Sequence, residues 1–489
     1  MEPYLPAWRL AQMTATGQIG CLELLDFYIA RTEAQNPRIN AVVVKDYDRA
    51  RTRAKALDNA GRASAGPLFG VPMTIKESFN LTDHPTTWGF PFRKDHRATE
   101  DALAVRRLTA AGAVVFGKTN VPVGLGDWQS YNPVYGSTSN PYDLTRSPGG
   151  SSGGSAAALA AGFCGLEIGS DIGGSIRVPA HFCGVFGHKP THGLCHPRGH
   201  SLVNSAGIPD LSVIGPLARS ARDLRTALQL IAGPDDAEGT APLTLTPPRL
   251  PSAAGLRVAV WASQPGIPQS PEITEAVEKA ARALESQGAF IDRSARPAFD
   301  PIEAFQIYLA LLDAALSARV PQETVDARKK ARDGLAANDQ STSATMLRAS
   351  GITHREWLQL HERRNHIRRA WGEFFQKFDV VLTPVAITAA FPHDQETQMH
   401  ERILLIEGIQ DHTLPVDGTR VDYGNILFWP GIATAFALPA TAAPVSRTST
   451  GLPIGVQIIG PILGDLTTIA VAESLETALG GFIPPASWE

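Results

Sequence analysis

Cysteine is scarce. Four thiols in 489 residues, none paired as Cys-x-x-Cys, are too few to staple a chain of this length. Cys21, Cys164, Cys183 and Cys195 fit a reducing cytoplasm, the expected location, and offer no metal-ligand spacing. No run of 18 or more apolar residues exists, so no membrane span is expected. The start, MEPYLPAWRL, has no basic stretch leading into an apolar one and does not read as a secretory signal. An excess of one charge is also missing: 44 Lys and Arg face 48 Asp and Glu, a net of −4. That balance gives no electrostatic case for a nucleic-acid or membrane-surface partner. Apolar residues are plentiful, at 43% against 19% charged, which excludes disorder and allows a large core. Length alone suggests about three domains at roughly 150 residues each.

Patterning along the chain modifies that count. Residues 1–60 read as helical, with Leu24, Leu25, Tyr28 and Ile29 at helical spacing and a stop near Asn36-Pro37. From about 68 to 230, short apolar runs (Val71–Ile75, Ala113–Phe116, Leu166–Ile168) alternate with Ala-rich segments such as Ser155–Gly162. Strands covered by helices, an α/β sheet, follow from that alternation. Gly233–Ala254 reads as a loop, Arg257–Trp261 as a strand and Ile273–Gln287 as a helix. Residues 302–375 read as mostly helical, Asp379–Thr383 and Leu452–Ile459 as strands, and Leu466–Leu479 as a last helix. The basic runs near Arg328–Arg332 and Glu362–Arg369 are mixed with acids and read as solvated helix faces. No linker is convincing enough to cut the chain.

The most unusual composition is Ser147-Pro148-Gly149-Gly150-Ser151-Ser152-Gly153-Gly154-Ser155, followed by Asp171-Ile172-Gly173-Gly174-Ser175-Ile176-Arg177. Ser151 and Ser175 both sit among glycines, where backbone can adopt unusual dihedrals and a substrate can come close. Successive N–H groups before Ser175 are suited to a developing oxyanion. A nucleophilic serine needs a base, and no Gly-x-Ser-x-Gly elbow supplies a histidine. A lysine serves if burial keeps it neutral, and Lys76, ending the apolar run from Gly70, is the candidate.

At these residues the chain resembles the amidase signature family. Gly149–Ser155, Asp171–Arg177 and the Lys76 strand match its defining segments in order and spacing. Further matches are Ala111–Asn120, Cys183–Thr191, Gly215–Leu217, Asp379–Pro384 and Gly451–Asp465. The resemblance implies a large mixed β-sheet covered on both faces by helices. It also implies a single domain, with residues 1–65 as an N-terminal helical layer on a 66–489 amidase signature domain. Catalysis is then expected from a Ser-Ser-Lys triad. Ser175 is the nucleophile, and Ser151, joined to Gly150 by a cis peptide, relays protons to neutral Lys76. The N–H groups of Ile172, Gly173, Gly174 and Ser175 form the oxyanion hole. Ser152 supports the relay, while Asp171 and Arg177 are expected to be a buried structural pair bracing the nucleophile loop. Trp128, Gln129 and Tyr131 are expected to line the acyl side, with core packing an equal reading for Trp128. Phe305, Tyr308, Leu312, Phe391, Ile406, Phe428 and Trp429, from segments 306–320 and 386–430, are expected to complete a funnel.

Two rival motifs are set aside on physical grounds. Gly112–Thr119 matches the Walker A pattern, but its intervening residues are apolar and bulky and read as a strand. His188-x3-His192 has zinc-like spacing, yet Pro190 breaks the helix that would align the rings; hydrogen-bonded loop histidines are expected instead. No cofactor and no metal are expected. The expected substrate is a small, uncharged, partly apolar amide, with a carbamate, ester or anilide as alternatives, and the expected assembly is a homodimer. The other reading is a role within a tRNA-dependent amidotransferase, like that of its glutamine-handling component. It is disfavoured because VPVGLGDWQSYNPVY replaces that component's acidic, small-residue run.

Overall fold

The computed structural model describes residues 1–486 except 62–64, 203–206, 240–242, 318–319, 340 and 407–418. Parts of the expected N-terminal layer, of the 233–254 loop and of the 302–375 and 386–430 segments therefore lie outside the described residues.

Eleven strands form the main sheet. In spatial order they are Val42–Lys45, Val114–Thr119, Pro72–Lys76, Leu166–Asp171, Val213–Ala218, Phe186–Lys189, Ala440–Arg447, Pro453–Ile459, Val380–Pro384, Arg257–Val260 and Phe290–Asp292. Two parallel trios flank an antiparallel centre: 72–76 with 114–119 and 166–171, and 257–260 with 290–292 and 380–384. The expected mixed α/β sheet is what the chain forms.

Side chains alternate across each strand, so the two faces feed two cores. Val381 and Ala259 enter one core, whereas Val380, Leu382, Val258 and Val260 enter the other. Helices Cys21–Ile39, Gly153–Ala160, Pro301–Ser317 and His354–Lys377 cover the first face. Ala7–Thr16, Leu103–Ala110, Ala221–Ile231, Pro271–Ser286 and Asp465–Leu479 cover the second.

The N-terminal region is not purely helical. Helix Cys21–Ile39 continues past Pro37, and Val42–Lys45 is an edge strand antiparallel to Val114–Thr119. Three consecutive valines favour extended backbone and pair there. The Walker-like segment is indeed strand Val114–Thr119, with Lys118 buried and donating to the Pro85 carbonyl and to Thr86 Oγ1. His188 lies within strand Phe186–Lys189, not on a loop, and meets Thr441 Oγ1 and Asp465 Oδ1. His192 lies apart, with its Nε2 against the Pro209 carbonyl.

Helix Gly153–Ala160 (GGSAAALA) is buried along its whole length. Its small residues let it lie close to the strands: a Cβ on Gly154 would stand 2.4 Å from the Asn120 nitrogen. Gly149–Ser155 is thus the entry to a packed helix, and its position beside Val114–Thr119 brings Ser151 to the carboxyl ends of the first parallel trio.

Candidate active site

Lys76 is the last residue of its strand, and Asp171 the last of the neighbouring parallel strand. Ligand sites in sheets of this kind collect at such carboxyl ends. The Gly150–Ser151 peptide is cis, as expected. Lys76 Nζ lies 2.7 Å from Ser151 Oγ and 2.9 Å from Ser170 Oγ. Ser152 N–H donates to the Ser175 carbonyl at 3.1 Å, which ties the two serine loops together. Exposure rises from Lys76 (0%) through Ser151 (1%) to Ser175 (6%). The innermost group is the amine, and the serine nearest solvent is the one expected to attack.

Burial lowers the Lys76 amine to about 7, against the opposing pull of Asp171 and Glu167. Near neutrality a large fraction is then free base, the form able to take a proton. Beneath it, burial pushes Glu167 up to about 8 despite the Thr74, Ser155 and Thr119 hydroxyls. Ser170 was absent from the sequence expectations, although it stands directly before Asp171.

Asp171 and Arg177 form a buried ion pair at 2.8 Å. Burial alone would raise the carboxylate, but Arg177 charge and hydrogen bonds hold it down to about 2. Arg177 also donates to the Pro430 carbonyl at 3.0 Å, Gln457 Oε1 at 2.5 Å and Thr434 Oγ1 at 2.8 Å. Asp171 accepts the N–H groups of Gly174 (2.9 Å) and Ile176 (3.1 Å). The pair therefore ties the backbone on either side of Ser175 to the end of strand Leu166–Asp171. Ser152 Oγ is 3.4 Å from both the nitrogen and the carbonyl oxygen of Ser170, whose hydroxyl meets Lys76.

The oxyanion set needs one correction. Gly174 N–H is committed to Asp171, so it is not free to receive a substrate oxygen. Among the described residues, the N–H groups of Ile172, Gly173 and Ser175 make no hydrogen bond. Two side chains fix the planes of this loop. Tyr308 hydroxyl donates to the Ile172 carbonyl at 2.9 Å, and Trp128 Nε1 to the Gly173 carbonyl at 3.0 Å. Because a trans peptide points its N–H opposite to its C=O, the Tyr308 bond aims the Gly173 N–H, while the Trp128 bond fixes the Gly173–Gly174 peptide, whose N–H meets Asp171.

The expected acyl-side residues are differently employed. Trp128 is buried, and its indole N–H is spent on Gly173. Gln129 is fully buried, donating to the Asp394 carbonyl at 2.7 Å and accepting Asp394 N–H at 2.9 Å, so its amide holds a loop and is not offered to a substrate carbonyl. Tyr131 hydroxyl accepts from Arg402 at 2.8 Å. Of the expected funnel, Phe305, Leu312, Phe428 and Trp429 are core side chains, and Tyr308 reaches the nucleophile loop. Phe391 and Ile406 border an open cavity of about 770 Å³ beside the antiparallel strand pair Ile403–Ile406 and Thr419–Asp422. Among the described residues, no group of three His, Cys, Asp or Glu is placed to hold a metal ion.

The model of the family described as Amidase matches residues 23–469. The chain belongs to the amidase signature family. Curated relatives of this amidase signature chain include the A-type component of glutamyl-tRNA(Gln) amidotransferase from Synechococcus sp. (strain CC9605), 31% identical over 97% of this chain and 96% of its own. The same component from Roseiflexus castenholzii (strain DSM 13941 / HLO8) is 32% identical over 95% and 94%. Among solved structures, 6-aminohexanoate cyclic dimer hydrolase complexed with substrate matches at a TM-score of 0.78 and 26% identity, covering all of both chains. A bacterial aryl acylamidase of the amidase signature family, at a TM-score of 0.79 and 23% identity over 97% and 96%, shows the shared fold. Relatives of this amidase signature chain thus include hydrolases and an amidotransferase component, and the chain is an enzyme of C–N bond chemistry.

Proposed function

We propose that the chain is an amidase that hydrolyses a small, uncharged, partly apolar amide to acid and amine through an acyl-enzyme on Ser175. The carrying observation is the buried amine of Lys76, brought down to about 7 and 2.7 Å from Ser151 Oγ. In this reading Lys76 takes the Ser151 proton while Ser151 takes that of Ser175, whose Oγ adds to the carbonyl carbon. The negative oxygen meets the N–H groups of Ile172, Gly173 and Ser175. The proton returns through Ser151 to the departing nitrogen, the C–N bond breaks, and water repeats the sequence to release the acid. Leu427, whose Cδ2 stands 3.0 Å from where a Cβ on Gly173 would lie, gives apolar surface beside this loop and supports an apolar acyl group.

The curated relatives favour a second reading, an amidotransferase component that works with partner proteins. A panel of aliphatic amides, anilides, carbamates and esters, assayed with the purified chain alone, separates the two. Partner-free turnover of an amide supports the hydrolase. Ammonia release from glutamine only when partner proteins are added supports the other reading.

A further inference from the structure

The segment that braces the nucleophile loop is itself clamped from a distant part of the chain. Arg402, 3% exposed, pairs with Asp127 at 2.5 Å and donates to Tyr131 hydroxyl at 2.8 Å. Tyr423 hydroxyl donates to the other Asp127 oxygen at 2.7 Å, and its ring meets Trp128 edge-on at 5.2 Å. Arg402 and Tyr423 directly flank the paired strands Ile403–Ile406 and Thr419–Asp422 and are joined by Tyr423 N–H to the Arg402 carbonyl at 3.2 Å. Asp127 is followed directly by Trp128, whose indole N–H holds the Gly173 carbonyl. On its other side the Asp127–Trp128 backbone presses on the residue before Ser151: a Cβ on Gly150 would stand 2.2 Å from the Asp127 carbonyl oxygen.

We infer that Arg402 is a positioning residue of the reaction. Clamped on Asp127 and Tyr131, it holds Trp128 against the Gly173 carbonyl and so fixes the Gly173–Gly174 peptide, which lies between the Gly173 and Ser175 donors and whose own N–H is tied to Asp171; this rests on the amidase reading above. A buried guanidinium with several fixed partners suits this work because its planar fork locks orientation as well as charge. Arg402 touches no reacting atom, so it acts through the Asp127–Trp128 segment, and Trp128 carries the contact with Gly173.

The test follows covalent labelling of Ser175 by a fluorophosphonate, in which Oγ bonds to phosphorus, fluoride leaves and the proton goes to Lys76 through Ser151. Labelling rate against probe concentration is measured for the full chain, for Arg402→Gln, for Trp128→Phe and for the double variant. Asp127→Asn serves in place of Arg402→Gln if the latter fails to fold. Each single change is expected to lower the maximal rate by about tenfold or more, with the half-saturating concentration within about threefold, because loss of aim acts on the transition state. The double variant is expected to fall no more than about threefold below the slower single, since both changes act on one bond. Arg402→Lys is expected to recover part of the rate. Multiplying effects in the double variant, or unchanged labelling rates with only a lowered unfolding midpoint, overturn the inference. Absence of any labelling in the unaltered chain instead overturns the amidase reading.

Discussion

Lys76 shows how much one residue's surroundings decide. As a sequence position it is a lysine ending an apolar run; in the fold it is a fully buried amine between two serine hydroxyls. Because the neutral amine is the working base, kcat/KM is expected to rise with pH through about 7 and then level off. An acid optimum contradicts the base role. Lys76→Ala is expected to leave a folded protein, checked by circular dichroism, with a rate lower by roughly 10²–10⁴. The meeting of Lys76 with Ser151 was legible through the family resemblance and not from local order, because 75 residues separate the two. Gln129 was not, since its partner backbone at Asp394 lies far along the chain, and no local pattern announces that pairing. Gly174 departs from expectation for a related reason: which of several consecutive N–H groups an aspartate takes depends on the loop's fold.

At the scale of elements, the Asp171–Arg177 pair is proposed to brace the loop that carries Ser175. Arg177→Leu leaves a buried carboxylate without its counter-charge and is expected to cost about 3–5 kcal/mol, read as a lowered urea midpoint. Unchanged stability contradicts the bracing role. Most elements were legible from periodicity: Ile273, Val277, Ala280, Ala281 and Leu284 mark one face of Pro271–Ser286. Strand Val42–Lys45 was hidden because four residues between two helices carry too short a period to register. The helix Gly153–Ala160 has no apolar stripe to find, being buried all round and recognisable only by small residues.

At the scale of the molecule, the sheet joins distant segments into one site, and the N-terminal helix is bound to it by a specific contact. Asp223 accepts the N–H groups of Ala7 and Trp8, both at 2.8 Å, and so caps helix Ala7–Thr16 from another helix. Asp223→Ala is expected to lose about 1 kcal/mol in denaturant unfolding, the usual cost of a lost cap; no loss contradicts the docking role. The mixed sheet itself was legible as a class, but its strand order was not, because pairings such as Phe186–Lys189 with Ala440–Arg447 join segments remote in sequence. The most direct measurement is mass mapping of a fluorophosphonate adduct on the purified chain. One adduct per chain, located on Ser175 and lost in Ser175→Ala together with amide turnover, is the expected result. An adduct retained at full strength in Ser175→Ala contradicts the nucleophile assignment and the acyl-enzyme mechanism built on it.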